Sequence, residues 1–159
     1  IYEQENITFK NMTVTNTSSI GQGIRMKNAN VELMDVALKG CGGSALHIPN
    51  STSETILVAT RCKFANSGKS GAAVNGSLTS ATFNNCVFHD NSRHGIHGYR
   101  STIHLHGEAT AIHSNGRNGI NAYSSNVVIH LPSHHNTTYN NGEEDRDTID
   151  GGTITNVED

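Results

Sequence analysis

The chain reads as all-β, a single-stranded parallel β-helix of about six coils with ~24 residues and three short strands per coil. The first observation behind this is an internal repeat. Residues 86–101, CVFHDNSRHGIHGYRS, align with residues 110–125, TAIHSNGRNGINAYSS, at a spacing of 24. His89/His113, Asn91/Asn115, Arg93/Arg117, Gly95/Gly119, Ile96/Ile120, Tyr99/Tyr123 and Ser101/Ser125 coincide, and residues 62–77 repeat the Cys, Phe and Gly positions again. The second observation is a recurring unit: apolar-x-x-apolar-x-apolar, then a small polar residue, then Gly and an alternating apolar pair. The third is what is missing. No segment carries a sustained helical stripe, and no stretch between units is long enough for a crossover helix. Strands that pair with their own equivalents one turn later must run parallel.

Taken in order, the units are Phe9-Met12-Val14, Leu33-Val36-Leu38, Ala59-Cys62-Phe64, Phe83-Cys86-Phe88 and Gly107-Thr110-Ile112, with Leu131 continuing the series. Their first members lie 24, 26, 24, 24 and 24 residues apart. The alternating pairs that follow are Ile24-Met26, Ala45-His47, Ala72-Val74, Ile96-Gly98 and Ile120-Ala122. The second of these is the weakest, because the turn lengths change there and the register can slip by one or two residues. Further short strands begin at Val31, Ile103 and Val127. Inward columns should then pile like on like: Phe64 on Phe88 on Ile112, Cys62 on Cys86, Ala72 on Ile96 on Ile120. Asn91 over Asn115 should form a short ladder of side-chain amides within one turn.

Composition is consistent with a folded chain around a thin core. Of 159 residues only 34% are apolar, Trp is absent, and the net charge is −3. Disorder normally needs high charge as well as low hydrophobicity. The near-neutral balance gives no electrostatic case for nucleic acid, and no apolar run is long enough to span a bilayer. Cys41, Cys62 and Cys86 match no metal spacing. Cys62 and Cys86, one period apart, read as stacked buried thiols, with a disulfide as the alternative. The start at Ile1 reads as a processed or excised segment. Sequons at Asn6, Asn11, Asn16, Asn50, Asn75 and Asn136 are what chance supplies in so Asn-, Ser- and Thr-rich a chain. The compartment stays open, with extracellular or surface the expectation. Residues 1–141 are read as the β-helix. Residues 142–159, with Glu143, Glu144, Asp145, Asp147 and Asp150, are read as an acidic tail covering the last coil. Their carboxylate spacing does not match the twelve-residue calcium loop.

The blocks NSRHGIHGYRSTIHLH and NGRNGINAYSSNVVIH resemble the right-handed parallel β-helix repeats of the pectate-lyase-like superfamily. The resemblance covers roughly residues 7–141 and is architectural: an Asn-rich turn, Gly, Ile, then alternation. It implies right-handedness. It also implies a choice among polysaccharide lyases, hydrolases, epimerases, carbohydrate-binding proteins, adhesins and tailspikes. Hydrolases of this kind need clustered aspartates, whereas Asp35 and Asp90 share no coil face. His94-Gly95-Ile96 is similar to their Gly-His-Gly, but Arg93 replaces the first Gly and the partner motifs are missing. The Asp-Pro-His-Glu motif of alginate epimerases is absent.

Three outward arrays can carry chemistry. With Ile96 inward, His97 and Tyr99 leave on the other side. Together with Arg100, Asn121 and Tyr123 they form a candidate ligand-binding strip, aromatic for the C–H face of a sugar and polar for its hydroxyls. The bland account is a cross-strand pair. His104, His106 and Glu108 leave one strand on the same side, with His130 one period after His106, so a divalent metal can be held there. His134 and His135 can add ligands if the next turn folds back. Against this, alternate side chains on a flat strand diverge. His89 over His113, with Arg93 over Arg117, would welcome an anionic ligand, although duplication of the repeat explains the match. Ice binding is rejected because Thr13/Thr15 and Thr153/Thr155 do not recur from coil to coil.

The leading expectation is a non-catalytic β-helix scaffold or carbohydrate-binding module, with no catalytic residue assigned and no cofactor required. One alternative is a small lyase or epimerase acting on acidic glycans, with His97 or Tyr99 as base and Arg100 as the neutralising cation. Another is a structural segment of a fibre or virion protein that self-associates through its coil ends.

Overall fold

The computed structural model describes residues 1–130 and 137–158. Leu131, His134, His135 and the sequon at Asn136 lie outside the described residues. The chain winds as a right-handed parallel β-solenoid of about six turns, and among the described residues there is no helix long and apolar enough to cross a membrane. Each turn contributes to three faces. The first face stacks Thr55–Thr60, Thr79–Asn84, Thr102–His106, Asn126–His130 and Thr153–Val157 in parallel register. The second stacks Lys63–Ala65, Val87–His89, Ala111–His113 and Thr138–Tyr139. Ile7–Val14 and Asn30–Lys39 each run continuously across both of these faces. The third face stacks Ile24–Arg25, Leu46–Ile48, Ala72–Asn75, Ile96–Tyr99, Ile120–Tyr123 and Arg146–Ile149.

The bends between faces come from left-handed backbone. Asn11, Asp35, Arg61 and Asn85 turn the chain from the first face to the second with φ of 51°, 53°, 50° and 51°. Gly40, Asn66, Asp90, Ser114 and Asn140 do the same between the second and third faces. Gly76, Arg100, Ser124 and Asp150 complete the triangle. Asn and Asp tolerate this conformation because their short polar side chains bond locally, which explains much of the composition. At Arg61 the bulkier side chain is held by a bidentate pair to Asp35 one coil away, at 2.8 and 2.7 Å.

The predicted columns form. Phe64 stacks on Phe88 with ring centroids 4.7 Å apart and planes at 8°, and Phe88 pairs in register with Ile112. Phe83 meets both rings edge-on at 5.6 and 5.0 Å. Ala72, Ile96 and Ile120 share one interior file at 0% exposure. The cysteines are free thiols. The Cys62 amide donates to Cys86 Sγ at 3.4 Å, and Cys86 Sγ in turn donates to the Ala59 carbonyl at 3.4 Å.

Two predicted registers move. Phe83 pairs with Leu105 and Leu105 with Ile129, so Gly107 is not the first member of its unit. The reason is burial: Leu105 and Ile129 are fully enclosed. Gly107, at φ +89°, instead turns the bend, which carries Glu108 and Ala109 as extra residues. On the third face Leu46 and Ile48, not Ala45 and His47, pair with Ala72 and Val74. That one-residue slip puts two large apolar side chains inside and turns His47 outward.

The amide ladder is longer than the repeat suggested. Asn91 Nδ2 donates to Asn115 Oδ1 and Asn115 Nδ2 to Asn141 Oδ1, both at 2.9 Å. Asn141 Nδ2 then donates to Asp145 Oδ1 at 2.7 Å, ending the ladder on a carboxylate. Each amide also bonds backbone of the neighbouring coil, as Asn115 does with the Phe88 carbonyl at 3.2 Å.

Residues 142–158 complete the sixth coil, where the sequence suggested a tail. Arg146–Ile149 pairs with Ile120–Tyr123, and Thr153–Val157 covers the edge of Asn126–His130. Arg146 occupies the interior file below Ile120 and crosses the end of the core, donating to Thr138 Oγ1 at 3.0 Å and Asn156 Oδ1 at 3.2 Å. One guanidinium thereby ties together all three faces at the last turn.

Two stability outcomes follow. Phe88→Ala should lower the free energy of urea unfolding by about 3–5 kcal/mol, because the cavity is lined by rings that cannot collapse into it. Asn115→Ala should cost about 1–3 kcal/mol for the polar groups it leaves unpaired. The same change at the half-exposed Asn141 should cost less, because water reaches that rung.

Candidate functional site

On the third face the outward positions of successive coils form a row: His47, Ala73, His97, Asn121 and Asp147. Ala73 is the notch in this row. Beside it runs a trough of ≈ 210 Å³ lined by His47, Lys69, Ala73, Arg93, His94 and His97, with Gln22, Ser44 and Ser70 completing the wall. Among the described residues, none that lines it is a carboxylate. The turn before the third face supplies the cations. Arg93 lies one coil from Lys69 and Arg117 one coil from Arg93, because each backbone N–H donates to the carbonyl of its predecessor.

The three imidazoles of the trough are held neutral. Burial pushes the His94 ring down to about 4, helped by His97, Arg117 and Arg93 and opposed by Asp147. Burial likewise lowers His47, with Arg25 and Lys69 adding to the effect. Burial lowers His97 against the raising hydrogen bond from Asn121. The His94 and His97 rings lie 5.5 Å apart. Nδ1 of His47 and Nδ1 of His94 are buried without a hydrogen-bond partner. Unpaired buried polar atoms are costly, and a ligand that bonds them recovers that cost.

His97 has a fixed tautomer. Asn121 Nδ2 donates to the Asp147 carboxylate at 2.8 Å, since a carboxylate only accepts. The other end of the amide, Oδ1, therefore faces His97 Nδ1 at 2.8 Å and accepts its proton. Nε2 of the neutral ring is left with its lone pair.

Tyr99 and Tyr123 occupy the next outward row, with ring centroids 5.3 Å apart and planes at 40°. The Arg100 guanidinium lies over the Tyr99 ring at 5.1 Å. Asp150 accepts the Tyr123 hydroxyl hydrogen bond and holds that phenol above its usual range. All five residues singled out on this face thus sit in adjacent rows: His97 touches Asn121, and the tyrosines touch each other beneath Arg100.

The first face brings together three of the four residues considered for a metal. His106 and His130 stack at 3.8 Å, His104 and His130 lie 5.2 Å apart, and His104 Nδ1 is 2.9 Å from His130 Nε2. Glu108 is exposed on the bend after Gly107, outside this group. On the second face His89, His113 and Tyr139 form an aromatic stack at 5.3 and 4.9 Å. Arg93 belongs to the trough on the third face.

Sequence reasoning missed His47, His94 and Asp147 as partners of His97. His47 was hidden by the register slip, and Asp147 by reading the sixth coil as a tail. The outward parity of the 47-73-97-121-147 row was the signal that could have found His47 and Asp147.

A family profile described as a right handed beta helix region matches residues 22–158. The chain belongs to that family. No curated protein and no solved structure matches it.

The depressed ring of His94 makes stability depend on acidity. As pH falls below the ordinary His value of 6.5, the unfolded chain takes up the proton first, and the folded ring follows only near 4. Stability contributed by this group is therefore complete above about pH 6.5, declines toward pH 4 and levels off below it. Urea midpoints measured across this window should fall with pH, and His94→Gln should reduce the slope.

Proposed function

We propose that this member of the right-handed β-helix family is a carbohydrate-binding module whose third face holds an acidic glycan. The observation that carries the reading is the trough: neutral imidazoles without a carboxylate among the lining residues, between a cationic row and a tyrosine ledge. A uronate or sulfated chain offers anions to Lys69, Arg93 and Arg117, hydroxyls to His47 and His94, and a C–H face to Tyr99 and Tyr123. The row of cations advances by one coil, ~4.8 Å, a step comparable to one sugar ring. Neutral sugars would leave the cations without partners, so the face discriminates by charge.

Binding is tested on an array of uronate, sulfated and neutral oligosaccharides. Acidic members should bind, and binding should weaken with added salt. Arg93→Gln should weaken it about tenfold or more, in line with ~1.5–3 kcal/mol for a hydrogen bond to a charged group. Tyr99→Ala with Tyr123→Ala should weaken acidic ligands and leave the urea midpoint little changed, since both rings are surface residues. Equal binding of neutral and acidic chains would refute the reading.

One observation favours a second reading, a lyase. The Asp147–Asn121–His97 chain orients a neutral imidazole beside Arg93, which has the composition of a base next to a carboxylate-neutralising cation. In β-elimination the base removes the proton on the ring carbon that bears the uronate carboxylate, the glycosidic oxygen on the adjacent ring carbon leaves and is protonated, and a C=C bond forms between the two carbons. Unsaturated product would appear as ultraviolet absorbance on incubation with uronate polymers. His97→Gln should abolish that signal while retaining binding. With no absorbance from the unaltered protein, binding alone remains.

A further inference from the structure

We infer that His104, His106 and His130 bind one divalent transition ion of the zinc class on the first face, fastening the fifth coil to the sixth. This site is separate from the trough and does not depend on the glycan reading. His104 and His106 are two apart on Thr102–His106, so both point outward while Ile103 and Leu105 are buried. His130 ends the neighbouring strand, whose register sets Leu105 beside Ile129 and so His106 beside His130. Among the described residues these three are the group whose ligand atoms all lie within 4.8 Å of one another. Nitrogens bound to a common tetrahedral zinc at 2.0–2.1 Å are ~3.3 Å apart. The 2.9 Å between His104 Nδ1 and His130 Nε2 is already close to that separation.

The stacked arrangement shows what has to move. His106 and His130 lie with planes at 15°, and each must turn out of the stack to aim a lone pair at one point. All three are half-buried side chains on the outward side of their strands. Between His104 and His130 one ring must donate a proton and the other accept it. An ion takes the place of that proton and releases it to solvent. Imidazole ligands suit zinc, copper and nickel and disfavour calcium and magnesium. Three protein nitrogens leave a fourth position for water or an external ligand.

The test is titration of the purified protein with zinc by calorimetry, and with cobalt by visible absorption. One ion should bind per chain, with cobalt bands of the intensity that low-symmetry nitrogen coordination produces, and saturating zinc should raise the urea midpoint. His106→Gln and His130→Gln should each weaken zinc at least tenfold and remove the midpoint shift. Because these side chains lie outside the core, far-ultraviolet circular dichroism should show both variants folded. His89→Gln with His113→Gln, on the second face, should match the unaltered protein. Glu108→Gln should change affinity less than twofold. The inference is overturned if no saturable binding occurs, if the triple His104→Gln, His106→Gln, His130→Gln variant binds as well as the unaltered chain, or if Glu108→Gln loses as much as His130→Gln.

Discussion

The structure depends on coils lying in register, and register depends on bends that turn by the same angle at the same place in every coil. A shift of one residue exchanges the inward and outward sets on a whole strand. The left-handed residues at the bends prevent this, because each consumes one residue in a fixed conformation before the next face begins. Nine of the 14 non-glycine residues with positive φ are Asn or Asp. The others, such as Arg61 and Arg100, store local strain of about 1–2 kcal/mol. At Arg61 the ion pair with Asp35 offsets part of it. The interior then needs little bulk: three phenylalanines in mutual contact, an aliphatic file and a line of amides suffice for a thin prism.

Legibility followed the regularity of the bends. Where identical residues recur at 24, Phe64 over Phe88 and Ile96 over Ile120 could be named from spacing alone. The readings slipped where a bend changes length. The bend before Thr102 is two residues shorter than the one before Ser80, which displaced the first-face register until the two extra residues after Gly107 restored the period, and the shortened second turn displaced His47. Residues 146–157 were read as a tail because the inward positions of the last turn include Arg146, Thr148 and Thr138, which no apolar pattern detects. Of the site, Tyr99 over Tyr123 and His106 over His130 were legible as one-period neighbours. His94 beside His97 was not, since it depends on how the turn before the strand folds onto the face.

The two ends differ physically. At the last turn Arg146 closes the core with hydrogen bonds to two other faces, so water meets polar groups there. At the first turn Ile7, Phe9 and Val14 are only partly covered, and Met12 and Ile20 are 39% and 73% exposed. Partly exposed apolar side chains nevertheless occur at both ends, since Tyr139 and Ile149 on the last turn are each 39% exposed.

Outward positions carry no part of the register, which frees them to differ in chemistry from face to face. The two histidine groups show how neighbours decide what an imidazole can do. On the third face the rings sit among Lys69, Arg93 and Arg117, so a bound cation would be repelled and an anion attracted. On the first face the flanking positions in the ladder are Thr82, Asn84 and Val128, without a nearby cationic row, and the rings instead converge on one another. The same residue type, on two faces of one scaffold, thus lies beside cations in one case and converges with other imidazoles in the other. The difference comes from the side chains one row away, and the backbone is the same in both.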